Sequence, residues 1–118
     1  MDYSKYFKEL CDVVPVTNAL GSSKEWPKPD DYDSWIDYWS FKKGIVAKKC
    51  YNCEATQELV GAHVIIEGSE NDDNPKVYLT ILCKPCNNSV EPFEIFKSKM
   101  IDVSDICPFS DIRKYYKK

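Results

Sequence analysis

The stretch from Cys50 to Asn88, CYNCEATQELVGAHVIIEGSENDDNPKVYLTILCKPCNN, carries a Cys-x2-Cys pair at each end and the chain's single histidine, His63, between them. Each pair closes a tight knuckle that aims both sulfurs at one point, so Cys50, Cys53, Cys83 and Cys86 can surround one tetrahedral zinc ion. The alternative for such cysteines is a disulfide framework, which belongs to small exported proteins. The first residues, Met1-Asp-Tyr-Ser-Lys, do not read as an export signal, and zinc is the preferred reading. Cys11 falls on an apolar face as a buried thiol, and Cys107, before Pro108, is either a surface thiol or an extra ligand.

Between the knuckles, Val60–Ile66 and Lys76–Leu82 are rich in β-branched residues, and the polar run from Gly68 to Pro75 separates them. This pattern predicts a β-hairpin with a long exposed tip. On the N-terminal side, Ile45–Lys49 reads as a short strand leading into the first knuckle. Asp31–Lys43 reads as a helix, with Tyr32, Trp35, Ile36 and Trp39 on one stripe, Asp30, Asp31 and Asp33 at its start, and Gly44 as its cap. That stripe is either core or a base-stacking platform, and core is preferred. Trp26 is expected to pin the Gly- and Pro-containing loop 17–29 to the body. Before it, Phe7, Leu10, Cys11 and Val14 recur at helical spacing and Pro15 follows, which predicts a first helix over Ser4–Val14. On the C-terminal side the reading gives a helical turn over Lys84–Ser89, a strand over Phe93–Phe96 and one turn of helix near Asp111–Tyr116.

The chain has 118 residues, 43% of them hydrophobic, and a net charge of −3. That length suits one domain, and no apolar run is long enough to span a bilayer, so a soluble, cytoplasmic protein is expected. Residues 45–103 hold six basic and nine acidic side chains, which is not the basic surplus of a dedicated nucleic-acid binder. The locally positive part is the tail, with Arg113, Lys114, Lys117 and Lys118. No glycine-rich phosphate loop is present, and one histidine cannot build a His-rich catalytic zinc site.

The order of a CxxC knuckle, a strand with Gly61-Ala62-His63-Val64, a polar loop, and Tyr78-Leu-Thr-Ile-Leu-Cys83-Lys-Pro-Cys86-Asn87-Asn88 resembles the zinc-containing branch of the HNH, or His-Me finger, nucleases, of treble-clef type. The resemblance covers about 40 residues. Together with the two helices read above, it gives an expected fold of α+β class, with two N-terminal helices (1–44) packed on a treble-clef or HNH-like zinc-binding hairpin (45–103) and a basic tail (104–118). It also implies His63 as general base, Asn87 as ligand to a catalytic magnesium or manganese ion, and Asn71 or Asn74 as the residue orienting the histidine. Ala62 stands where the family carries a metal-holding Asp, Glu or His, with Glu67 and Asp72 as conceivable substitutes, and Pro92 shortens the helix that should follow. Read from the residues alone, His63 is a structural histidine, a zinc ligand, a partner contact or a base, and Asn87-Asn88 is a knuckle turn. The expected function is a zinc-binding, non-catalytic HNH-like module for a protein or nucleic-acid partner. The alternatives are a metal-dependent endonuclease and a structural zinc subunit of a larger assembly.

Overall fold

A computed structural model describes residues 13–19, 26, 28–69 and 76–106 of the chain. The elements in order are β1 (Val13–Asn18), α1 (Trp35–Lys43), β2 (Leu59–Ile66), β3 (Val77–Cys83), α2 (Lys84–Asn87), β4 (Phe93–Phe96), a 3₁₀ turn (Lys97–Lys99) and β5 (Ile101–Asp102). The five strands form one antiparallel sheet in the order β4-β1-β2-β3-β5.

This architecture corrects the expectation of two N-terminal helices packed on a hairpin. Val13 and Val14, expected at the end of a first helix, lie in β1, and residues 4–12 fall outside the described part. Over the described part the run Val-Val-Pro-Val-Thr is rich in β-branched side chains that fit a pleated surface, and at Val13 and Val14 this preference prevails over the helical spacing. Pro15 does not stop an element; it lies where β1 passes from one neighbour to the next. Val13–Val16 pair with β4, Val16–Asn18 pair with β2, and the Pro15 carbonyl accepts from the Glu67 amide at 3.0 Å. The segment 45–49 forms no strand and crosses as irregular chain from α1 to the first knuckle.

The β2–β3 hairpin lies within a residue of its expected bounds, with Leu59 opposite Cys83 and Ile65 opposite Val77. The Phe93–Phe96 strand is present as β4, and the helical turn after Cys83 as α2. The Asp111–Tyr116 turn and the basic tail beyond residue 106 lie outside the described residues.

Helix α1 begins later than its acidic lead-in suggests, because Ser34 is the N-cap and its hydroxyl accepts from the Asp37 amide at 3.1 Å. It ends at Gly44, whose left-handed φ of 72° lets its amide return to the Ser40 carbonyl at 2.9 Å. Trp35 and Trp39 are buried against Ile65, Val77, Leu79, Ile81 and Val103, with Trp26 in the same cluster, so the aromatic stripe is core. Close docking needs Gly61 of β2: a β-carbon there would lie 2.6 Å from Trp35 Cβ and 2.9 Å from the Ile36 amide nitrogen. A second cluster gathers Val16, Ala62, Val64, Leu82, Ile95 and Met100 with Cys50 and Cys83. Strand alternation puts His63 toward the first layer and Ala62 toward the second. Among the described residues no helix is long and apolar enough to cross a membrane.

Candidate metal centre

The pairing of Leu59 with Cys83 places both knuckles at the open end of the β2–β3 hairpin. The first knuckle leaves α1 through residues 45–49 and is shaped by backbone bonds. Cys50 N–H donates to the Ala55 carbonyl at 2.8 Å, Glu54 N–H to the Cys50 carbonyl at 2.9 Å, and Tyr51 N–H to the Ile81 carbonyl of β3 at 3.0 Å. Glu54 and Glu58 take left-handed φ values of 67° and 55°, which let the chain double back. The second knuckle follows β3 directly into α2, where Lys84 N–H reaches the Glu58 carbonyl at 3.0 Å.

As a result, one sulfur from each of Cys50, Cys53, Cys83 and Cys86 lies within 4.8 Å of all the others. Four ligands around an ion with metal–sulfur bonds of about 2.3 Å would lie about 3.8 Å apart, and the Cys53 and Cys83 sulfurs are separated by 3.6 Å. No disulfide joins any two of the four cysteines. The set could hold a metal ion. Cys50 and Cys83 are buried, Cys86 is half-buried and Cys53 is exposed.

The surroundings favour negative sulfur at one position and resist it at another. Burial pushes the Cys50 thiol up, but backbone amides of Cys53, Cys83 and Asn52 aimed at its sulfur more than offset this and hold it down to about 7. Burial pushes Cys86 up to about 12, partly offset by the Asn52 side-chain amide 3.4 Å from its sulfur and reinforced by the neighbouring thiols. Four thiolates packed this closely repel one another, and a divalent cation among them removes that conflict.

Two residues that the sequence does not single out complete the centre. Asn52 spans the two knuckles through its bond to Cys86. Asn18, buried at the end of β1, donates from Nδ2 to the Cys86 carbonyl at 2.8 Å and to the Ser89 carbonyl at 2.9 Å, clamping the turn that carries the last thiol. The one sequence signal for Asn52 is its place as the polar residue inside the first CxxC. Nothing in the sequence marks Asn18, 68 residues from Cys86.

His63 is not part of this cluster. It lies in β2, 3% exposed, with the indole rings of Trp35 and Trp26 edge-on at centroid distances of 4.5 and 5.3 Å. Burial lowers its pKa to about 4. Asn87 is the half-buried last residue of α2, and Glu67 is exposed just after β2. Asn71, Asp72, Asn74, Cys11 and Cys107 fall outside the described residues. Among the described residues the four cysteines form the one cluster of His, Cys, Asp or Glu arranged to hold a metal ion.

Compared with protein-family models, curated proteins and solved structures, the chain matches none. The HNH and treble-clef resemblance therefore gains no family-level support, whereas the thiol geometry itself is consistent with a metal-binding module.

Proposed function

We propose that this chain is a zinc-binding module without catalytic activity, which uses its metal-braced sheet to present a surface to a macromolecular partner. The observation that carries this reading is the convergence of four thiols within 4.8 Å. An all-sulfur set of four suits zinc, and once closed it leaves no position for the water molecule a catalytic zinc must hold. The surroundings of His63 support the non-catalytic part. A general base must reach a substrate proton, and this imidazole is buried against two indoles. Its neighbour Ala62 offers no metal ligand and belongs to the opposite layer.

Elemental analysis of the purified chain is expected to give about one zinc per molecule, following the tetrahedral four-ligand rule. Cobalt substitution should give the intense thiolate charge-transfer bands and visible absorption of a tetrahedral sulfur site. Incubation with plasmid DNA or RNA in magnesium or manganese should leave both intact. Absence of bound transition metal would overturn the zinc reading, and cleavage abolished by His63→Ala in a folded variant would overturn the non-catalytic one.

A further inference from the structure

Beside the first knuckle lies an open groove of about 600 Å³ lined by Ile45, Val46, Lys48, Lys49, Tyr51, Phe96 and Lys99. Its apolar residues are unusually open to water: Val46 is 72% exposed, Phe96 45% and Ile45 44%. Single exposed apolar residues are ordinary, but three lining one concavity of this volume form a patch of the kind that receives a partner's side chain.

The rim is positive although the chain as a whole is negative. Lys49 is paired with Glu54 at 3.1 Å, while Lys48 and Lys99 make no ion pair among the described residues. Lys43 stands close enough to Lys99 that burial and this second ammonium lower its pKa. The groove is also held in shape. The Lys99 carbonyl accepts from Trp39 Nε1 at 3.0 Å and from Thr80 Oγ1 at 2.8 Å, and Tyr51 is fixed through its amide to Ile81. A preformed site avoids the ordering cost that a mobile one would bear on binding.

Resting on the reading of the chain as a binding module, we propose that this groove docks an acidic peptide segment of a partner protein. A large apolar side chain of that segment would sit against Ile45, Val46 and Phe96, with flanking carboxylates facing Lys48 and Lys99. The lining favours a peptide over single-stranded nucleic acid. Bases need open aromatic faces for stacking, yet Tyr51 already carries the Lys99 ammonium 5.5 Å from its ring centre and packs against Trp39 at 5.7 Å. Phe96 is the one other aromatic ring in the lining, too few for the successive stacked bases of a strand, and Ile45 and Val46 are aliphatic.

The test is selection of random dodecapeptides displayed on phage against the zinc-loaded chain. Binding of the synthetic winners is then compared with that of labelled dodecathymidine. Selection should converge on peptides with several Asp or Glu residues around a Leu, Ile or Phe. Lys48→Glu with Lys99→Glu should weaken the winner about tenfold or more, as loss of charge complementarity predicts. Val46→Asp should do the same, at a position too exposed to disturb the fold. Zinc content should not change in either variant. The proposal is overturned if selection yields no acidic consensus, if the winners ignore both variants, or if dodecathymidine binds the same residues more tightly. Failure with zinc retained removes the groove assignment alone, whereas failure of the zinc reading shows as missing metal in the parent chain.

Discussion

At the scale of single residues, His63 makes folding depend on pH in a direction fixed by its surroundings. Burial lowers its pKa from 6.5 to about 4, so between those values the unfolded chain binds a proton that the folded chain does not. Stability from this residue is complete above pH 6.5 and is lost as pH falls toward 4. The full span is worth about 3 kcal/mol, since each tenfold change in proton affinity corresponds to about 1.4 kcal/mol. Thiolate protonation acts over part of the same range, so the informative quantity is a difference. Denaturant melts of the parent chain and His63→Gln at intervals from pH 7.5 to about 4 should show a shallower acid slope in the variant. Equal slopes would contradict the burial argument. His63 is conspicuous in the sequence as the single histidine, yet its neighbours are not. Trp26 is far from it in the chain, and an imidazole enclosed by indoles reads the same in one dimension as one lining a cleft.

At the scale of elements, legibility follows how local each signal is. The β2–β3 hairpin, α1 with its Gly44 cap, and both knuckles are written in short-range patterns, and all are found close to where those patterns place them. The strand expected over 45–49 does not form and the short β5 goes unread, but the clearest failure is β1, because a strand held between two others takes its identity from partners far along the chain, namely Phe93–Phe96 and Val64–Ile66. Periodicity over a few residues cannot see them, and tertiary pairing prevails over local preference. The junction of α1 with β2 is equally hidden, since Gly61 looks like any strand glycine until the Trp35 backbone is laid across it. Gly61→Ala is therefore expected to destabilise the fold by about 3 kcal/mol through overpacking. Gly44→Ala, with nothing within 4 Å of the new carbon, should cost only the about 1 kcal/mol of an unfavourable left-handed φ. Thermal melts of the two variants will show whether contact outweighs backbone strain; a larger loss at Gly44 would refute this assignment.

At the scale of the whole molecule, both layers of the core reach the four-thiol cluster. Cys50 and Cys83 belong to one cluster, while Tyr51 and Leu59 pack against both. Removal of an ion from the four thiols should thus loosen the entire described sheet rather than one loop, because metal binding and folding share the same free energy. A strong chelator is expected to lower the melting temperature as a single transition and to reduce amide-exchange protection in β2 and β3 together. An unchanged melt after verified metal loss would show that the sheet stands without it. The thiol cluster has one more consequence, which concerns errors of assembly. Sliding β2 past β3 by one residue moves the strands by about 3.4 Å and turns every side chain to the wrong layer, and it would carry Cys50 and Cys53 out of reach of Cys83 and Cys86. An ion held by all four sulfurs would accordingly proofread the alignment, favouring the hairpin in which Leu59 faces Cys83.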